Sequence, residues 1–177
     1  MSKEEIRAIE DAYAKTETPV VSNNSAHRWT PDVPMVIPEV NPEHFEVIEA
    51  QKKRLGTTRG FVAVKPNCSI QSYAPVLTAW MEFEPTEVVA TTYQAISGAG
   101  KTFKDWPEMV ENIIPYIGGE EEKSEQEPLR IWGKVCDGKI EKASAPVITT
   151  QCIRVPVLDG HTAAVFVNFK KKPTKEQ

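Results

Sequence analysis

Three long segments in the second half of the chain are rich in β-branched residues, and they constrain the fold more than any other feature. They are TEVVATTYQAI from residue 86, PVITTQCIRVPV from residue 146 and TAAVFVNF from residue 162. Residues of this kind favour strands, and helical segments stand before and between them. This order predicts an α/β chain, more closely an α+β arrangement in which helices cover a mixed sheet.

The first part of the chain alternates helix and strand signals. Apolar residues recur at helical spacing before Pro19, which ends this helix ahead of a short strand. A proline-rich loop follows, and Asn41 is a candidate N-cap for a helix from Pro42 to Gly56, which leads to the buried strand GFVAVK. This part is too short for a complete doubly wound nucleotide-binding domain, and no glycine-rich phosphate loop precedes Pro19.

Composition excludes several classes of function. A net charge of −4, from 21 basic and 25 acidic residues, lacks the basic field that a nucleic-acid partner requires. No stretch approaches the roughly 20 apolar residues of a membrane span, so no membrane partner is expected. The acidic N-terminus lacks the features of a secretory signal, which makes the cytoplasm the expected location. The three cysteines are too widely spaced for a disulfide framework or a CxxC site, and we expect no metal.

Four shorter signals complete the second part of the chain. The segment WPEMVENIIPYI predicts a helix, and a charged helix begins at about Glu120 after a glycine pair. The segment SGAG at residues 97–100 predicts a turn, and Asp137-Gly138 predicts a two-residue hairpin.

Cys68 is the first candidate for chemistry. A helix capped by Asn67 or Ser69 would place this thiol at a strand-to-helix turn, where backbone N–H groups and the helix dipole favour the nucleophilic thiolate. The alternative is a small buried apolar residue. Asn67 either donates a hydrogen bond from its side-chain amide to an oxyanion or caps the helix.

His161 is the second candidate, because it follows Asp159-Gly160 in a turn between two strands. Rigid neighbours would hold a general base there, and the alternative is a surface histidine. Arg154 lies seven residues earlier. It either clamps a carboxylate in a cleft shared with His161 or pairs with a surface acid.

Three further charged residues have two interpretations each. Glu120 and Lys123 are three residues apart and share a helix face, which is also the pattern of a solvated ion pair. Arg28 stands in the polar loop NNSAHR, where it either holds phosphate together with nearby hydroxyls or has no such role.

Five motifs together resemble one family. SNNSAHRWTPDVPMVIPEVN, KPNCSI, QAISGAG, NIIPYIGGEEEK and CIRVPVLDGH occur in the order and spacing of the aspartate-semialdehyde dehydrogenases, most like their archaeal and fungal-like branch. The resemblance covers nearly the whole chain. It implies a catalytic and dimerisation domain at residues 67–177 that resembles that of glyceraldehyde-3-phosphate dehydrogenase. It also implies that residues 1–66 are the trailing part of a Rossmann-like NAD(P)-binding domain.

The resemblance also implies a reaction. The family reduces 4-phospho-L-aspartate to L-aspartate 4-semialdehyde with NADPH, through a cysteine acyl-thioester and with release of phosphate. This step leads to lysine, through diaminopimelate, and to methionine, threonine and isoleucine. The motifs imply a nucleophile at Cys68, an acid/base at His161, substrate contacts at Gln94, Arg154 and Glu120, phosphate contacts at Arg28 and Lys123, an oxyanion contact at Asn67, and NADP contacts at Ser97 and Gly98.

Two departures from the family stand out. Ile70 occupies the place of a usual threonine, which leaves the nucleophile and the oxyanion donor unchanged. The chain is also about half the family's length, without the N-terminal glycine-rich loop or the C-terminal end. We therefore expect this chain alone to bind NADP weakly at most, and we expect a homo-dimer or homo-tetramer.

Two alternatives to this function remain open. One is an acyl-CoA reductase of the same fold, of the malonyl-CoA type. It would need the same cysteine and histidine, whereas the phosphate-facing pair Arg28 and Lys123 favours an acyl phosphate. The other is a non-catalytic, dimer-forming remnant or one half of a split enzyme.

Overall fold

The computed structural model describes all 177 residues, which group into two compact units. The first unit contains Met1–Pro66 and Arg130–Ala143, and the second contains Asn67–Leu129 and Ser144–Gln177. None of the helices has the length and apolar character needed to cross a membrane. The assignment of residues 1–66 and 67–177 to a nucleotide-binding and a catalytic domain stays a prediction.

A short parallel sheet organises the first unit. Helix α1 (Lys3–Lys15) precedes strand β1 (Val20–Ser22), which pairs with β2 (Val62–Val64). Helix α2 (Ile48–Leu55) lies between the two strands in the chain, after a 3₁₀ turn over Pro42–Val47. The predicted order of helix, strand, loop, helix and buried strand is therefore confirmed.

A hairpin completes the first unit. Strands β4 (Lys134–Cys136) and β5 (Lys139–Glu141) pair in antiparallel fashion around Asp137-Gly138, as the sequence predicts. Both turn residues have positive φ, 48° and 72°, the geometry that an aspartate-glycine pair supplies at low cost.

A three-stranded mixed sheet organises the second unit. Strand β3 (Pro85–Gln94) is central, with β6 (Val147–Arg154) parallel on one side and β7 (His161–Phe169) antiparallel on the other. Helix α3 (Ala74–Ala79) and all but the last two residues of α4 (Glu120–Ile131) belong to the same unit. The predicted α/β class with a mixed sheet is confirmed.

The register of this sheet brings three polar residues to one end. Gln94, the last residue of β3, stands opposite Arg154 on β6 and opposite His161 on β7. Directly paired residues project to the same face of a sheet. Three of the residues singled out in the sequence therefore share one row on one face.

The prediction of a helix beginning at Asn67 or Ser69 is wrong. A 3₁₀ turn occupies Ile70–Ser72, and α3 begins only at Ala74. Pro75 explains the delay, because proline is tolerated in the first turn of an α-helix but not further inside it. Cys68 therefore does not lie at the N-terminus of α3, and the predicted effect of that helix dipole on its thiol is wrong.

The segment WPEMVENIIPYI is also not the predicted helix. Only Pro107–Met109 form a 3₁₀ turn, and Glu111 has a positive φ of 58° that no regular helix allows. Ile114 instead pairs with the edge of β6, since its N–H and C=O each bond to the backbone of Arg154 at 2.9 Å.

Candidate active site

Cys68 and His161 lie in direct contact although 93 positions separate them in the chain. Cys68 has an exposed side chain in the turn that follows Asn67, and its Sγ is 3.3 Å from Nε2 of His161. His161 is the first residue of β7. A thiol beside an imidazole is the arrangement of a nucleophile with its acid/base partner. The structure thus brings together the two residues proposed as catalytic.

The backbone of Ala95 fixes the orientation of the His161 ring. Ala95 N–H donates to Nδ1 at 3.1 Å, so Nδ1 is an acceptor and the proton of the neutral ring lies on Nε2. Nε2–H then points at the sulfur of Cys68 and donates to it. This hydrogen bond stabilises negative charge on the sulfur, the form in which a cysteine attacks a carbonyl.

The carbonyl of the same residue holds Arg154. Nη1 of Arg154 donates to Ala95 O at 2.7 Å, and the side chain is buried. Burial lowers the pKa of Arg154, while the charges of Glu120 and Cys68 act in the opposite direction. Because a guanidinium keeps its proton in proteins, a buried positive charge stands in the same row as His161. Such a charge suits a carboxylate ligand.

Glu120, the first residue of α4, is tied to three partners. Its Oε2 accepts a bond from Asn67 Nδ2 at 2.8 Å and its Oε1 accepts one from Lys123 Nζ at 2.6 Å, while the side chain of Gln94 also bonds to it. Burial raises the pKa of Glu120, but these hydrogen bonds and the charge of Lys123 outweigh burial and leave the pKa below its usual value. The carboxylate is therefore ionised at neutral pH. Its contribution to stability is lost only as the pH falls through the lowered pKa.

This pair is not the solvated surface pair considered as an alternative. The side chain of Glu120 is 12% exposed and that of Lys123 is 33% exposed. The ionised carboxylate and its lysine therefore stand together at the edge of the site, next to the turn that carries Cys68.

Asn67 shapes the turn that carries the thiol. Its Oδ1 accepts bonds from Ser69 N–H at 2.9 Å and from Ser69 Oγ at 2.6 Å, which makes an Asx turn. Its own N–H donates to Glu127 Oε2 at 2.6 Å. Asn67 thus binds Glu120 and Glu127 and does not cap α3. The predicted oxyanion contact of its amide stays a prediction.

Ser97 and Gly98 lie in the exposed 3₁₀ turn that follows β3. A Cβ added at Gly98 would lie 2.9 Å from Arg154 Nη1 and 2.9 Å from His161 Cε1. Only glycine lets this backbone approach both side chains so closely. The turn therefore borders the catalytic pair, and its predicted contact with NADP stays a prediction.

Arg28 belongs to the first unit and is buried there. Its Nε donates to Lys65 O at 3.0 Å and its Nη2 donates to Asn23 O at 3.2 Å. These bonds fix the guanidinium against the main chain around the end of β2. Its phosphate role stays a prediction.

Sequence reasoning missed three residues that support the site. Ala95 and Ile114 contribute main-chain atoms only, so their side chains carry no signal. Glu127 was within reach of pattern reasoning, because it stands seven residues after Glu120 and hence on the same face of α4.

Comparison with known proteins gives a consistent result. Residues 74–177 match the family model described as "Semialdehyde dehydrogenase, dimerisation domain", and residues 1–48 match "Semialdehyde dehydrogenase, NAD binding domain". The aspartate-semialdehyde dehydrogenase of Archaeoglobus fulgidus is 43% identical over 171 residues, which are 97% of this chain and 49% of that protein. The enzyme of the same name from Saccharomyces cerevisiae is 39% identical over 178 aligned positions, 94% of this chain and 48% of that protein.

A solved structure supports the same assignment. Aspartate semialdehyde dehydrogenase from Candida albicans, whose crystal structure was determined with NADP, superposes with a TM-score of 0.81 at 35% identity. The match covers 98% of this chain and 50% of that one. The chain thus spans about half the length of the curated relatives it matches. Because the dimerisation-domain model covers more than half of the 177 residues, the chain belongs to the semialdehyde dehydrogenase family, with aspartate-semialdehyde dehydrogenases as its relatives.

Proposed function

We propose that this chain carries the acyl-transfer site of an aspartate-semialdehyde dehydrogenase, which converts 4-phospho-L-aspartate to L-aspartate 4-semialdehyde. The single observation that supports this most is the 3.3 Å contact of Cys68 Sγ with His161 Nε2, beside the buried cation Arg154. The product is the precursor that the family supplies for lysine, methionine, threonine and isoleucine.

The first step is attack on the acyl phosphate. The thiolate form of Cys68 forms a bond to C4 of the substrate, and the electron pair of the C4 carbonyl moves onto its oxygen. When the carbonyl forms again, the C–O bond to phosphate breaks with its electron pair on phosphate. The tetrahedral intermediate carries negative charge on oxygen, which the amide of Asn67 and the Cys68 N–H are proposed to stabilise. Nε2–H of His161, which faces the sulfur, is proposed to donate a hydrogen bond to the leaving phosphate and, in the later step, to the leaving sulfur.

The charges around the sulfur complement the substrate. Arg154 is proposed to bind the α-carboxylate in bidentate fashion. Glu120 is proposed to accept a hydrogen bond from the α-ammonium group. Lys123 is proposed to bind the phosphate and Gln94 to orient the substrate, and the motif match alone proposes Arg28 of the first unit as a second phosphate contact. The second unit thus offers two cations and one carboxylate to a substrate with two anionic groups and one cationic group.

The residues present fit NADP at its reactive end. The Ser97–Gly98 turn is exposed and brings a backbone without a side chain next to His161 and Arg154. We assign the contact with the reactive ring to this turn. Bound NADPH would supply the hydride that reduces the thioester. The C–S bond then breaks, the aldehyde leaves, and the sulfur regains the charge that Nε2–H stabilises.

Trapping the thioester tests the proposal without any need for NADP. The chain is incubated with 4-phospho-L-aspartate made in place by an aspartokinase and ATP, and Cys68 is examined by peptide mass spectrometry for a hydroxylamine-sensitive aspartyl adduct. We expect the adduct on Cys68 in the native chain and in a Cys136→Ser control, and no adduct in Cys68→Ser.

A parallel incubation with malonyl-CoA separates the alternatives. A malonyl adduct without an aspartyl adduct would favour the acyl-CoA reductase. If neither adduct forms on a Cys68 that iodoacetamide still alkylates, the acyl-transfer proposal is wrong and the non-catalytic remnant is favoured. The complete reaction is then assayed with semialdehyde, phosphate and NADP, with and without the N-terminal half of the Archaeoglobus relative.

The outer face of the second unit's sheet supports self-association. Val89 and Phe166 pair across β3 and β7, and they are 48% and 75% exposed, while Val147 on β6 is 63% exposed. Exposed apolar side chains grouped on one face of a sheet mark an interaction surface. We assign it to contact between two copies of the chain, in a homo-dimer or a homo-tetramer.

A further inference from the structure

Strand β6 is an edge strand, but its outward-facing N–H groups have partners. Residues of a parallel strand direct their backbone groups alternately to one neighbour and to the other. Three N–H groups on the side away from β3 bond elsewhere. Thr150 N–H donates to Glu125 Oε1 at 3.0 Å, Cys152 N–H to Glu121 Oε1 at 3.1 Å, and Arg154 N–H to Ile114 O at 2.9 Å.

Two of these partners are carboxylates of α4 whose spacing matches the strand. Alternate residues of a strand stand about 6.7 Å apart, and residues four apart on a helix stand about 6 Å apart along its axis. Glu121 therefore faces Cys152, and Glu125 faces Thr150. Thr150 Oγ1 adds a bond to the carbonyl of Glu121 at 3.1 Å.

Other carboxylates of the same helix hold the turn that carries the nucleophile. Glu120 accepts the side chain of Asn67, and Glu127 accepts its backbone N–H. Helix α4 therefore connects two parts of the site, the Cys68 turn on one face and the strand that ends in Arg154 on another.

We propose that Glu121 and Glu125 are positioning residues, which complete the hydrogen bonds of β6 and thereby set the position of Arg154 relative to Cys68. The inference rests on the proposed function, in which Arg154 binds a carboxylate next to the attacking sulfur. Bonds from N–H groups to ionised carboxylates are stronger than those to neutral acceptors, so two of them hold an edge strand firmly. The side-chain hydrogen bond of Glu121 goes to the strand, through Oε1 and the Cys152 N–H, while its second oxygen is buried without a hydrogen-bond partner.

Alkylation of Cys68 by two reagents tests this on the chain itself. Iodoacetate carries a carboxylate and iodoacetamide does not, and the charges of Arg154 and Cys68 interact. The ratio of the two rate constants at Cys68, measured by peptide mass spectrometry, therefore reports where Arg154 stands. We expect Arg154→Ala to lower this ratio about fivefold, and Glu121→Ala with Glu125→Ala to lower it at least about threefold.

Amide hydrogen exchange gives the second readout. The Thr150 and Cys152 amides should exchange at least about tenfold faster in the double alanine variant, while the amide of Val88 in the central strand is unchanged. Glu122→Ala is the matched control, because this residue is exposed on the same helix and should leave both readouts at their native values. Glu121→Gln with Glu125→Gln keeps acceptor oxygens, so it should restore part of the protection.

The outcomes separate the inference from the proposed function. If Arg154→Ala lowers the ratio but the double alanine variant keeps it, the positioning role is wrong and the carboxylate role of Arg154 stands. If Arg154→Ala leaves the ratio unchanged, the carboxylate role fails and the inference fails with it. Should the double alanine variant not fold, the double glutamine variant decides. Native values of both the alkylation ratio and the amide exchange in that variant would overturn the role of the two carboxylates.

Discussion

Replacing Gly98 by alanine tests whether the contact between Cys68 and His161 depends on a missing side chain. A Cβ at this position would lie 2.9 Å from His161 Cε1 and 3.1 Å from His161 Nε2. Atoms in favourable contact stand about 3.5 Å or more apart. The ring cannot yield freely, because Ala95 N–H holds its Nδ1 at 3.1 Å. We expect the ring to move by about 0.5 Å and to weaken its bond to the sulfur.

The size of the effect follows from the bond at risk. The 3.3 Å contact between Nε2 and Sγ is a hydrogen bond to a group that becomes charged. Such a bond contributes about 1.5–3 kcal/mol, and about 1.4 kcal/mol corresponds to a tenfold change in rate. Gly98→Ala should therefore slow the alkylation of Cys68 by iodoacetamide by about 10- to 100-fold at neutral pH.

The assay resolves the rate at each cysteine by peptide mass spectrometry, with Cys136 as an internal reference. Gly118→Ala is the matched control, because a Cβ at Gly118 meets no atom within 4 Å. Circular dichroism confirms that both variants fold. Equal rates at Cys68 in the two variants would refute the claim that Gly98 keeps the ring in place.

Three further predictions concern charge, assembly and packing. Lys123→Met should raise the pKa of Glu120, since burial then acts with less opposition, and a carbon-13 NMR titration of the carboxyl group measures this. Phe166→Asp should weaken self-association at least about 100-fold in analytical ultracentrifugation, because it removes an exposed aromatic ring and adds a charge. Gly60→Ala should lower the unfolding free energy by about 2–3 kcal/mol in urea denaturation, because its Cβ would lie 1.7 Å from the Ala14 carbonyl oxygen.

Each of these predictions has a control of the same chemistry. Lys104→Met removes an exposed lysine and should leave the carboxyl titration unchanged. Tyr116→Asp replaces a ring that is 65% exposed outside the sheet, and equal dissociation in both aspartate variants would argue against the sheet face. Gly118→Ala should retain native stability, whereas native stability in the Gly60 variant would contradict the steric argument.

The strands of this chain could be predicted because their signals are local. The β-branched runs form β3, β6 and β7, and the aspartate-glycine pair forms a hairpin turn. The motif resemblance singles out Cys68 and His161, and the structure brings them within 3.3 Å. Patterns of this kind consist of side-chain types, so the amino-acid sequence alone contains them.

The helix errors have a different cause. The segment from Trp106 to Ile117 has helical spacing of apolar residues, but Glu111 adopts a positive φ and Ile114 pairs with the backbone of Arg154. Pairing with a strand distant in sequence overrides the local pattern, and local spacing contains no information about that partner. The late start of α3 was foreseeable, because Pro75 is itself a helix-start signal.

The precision of the site depends on register more than on residue choice. Gln94, Arg154 and His161 stand in one row, and a slip of β6 by one residue would turn Arg154 to the other face of the sheet. The main chain of Ala95, which follows β3, holds both the imidazole and the guanidinium, so a slip of β3 would disrupt both contacts together. The central strand, the backbone of Ile114 and the carboxylates of α4 each restrain β6 by independent hydrogen bonds. The chemistry therefore lies in side chains that a motif reveals, while their geometry depends on backbone contacts that no motif records.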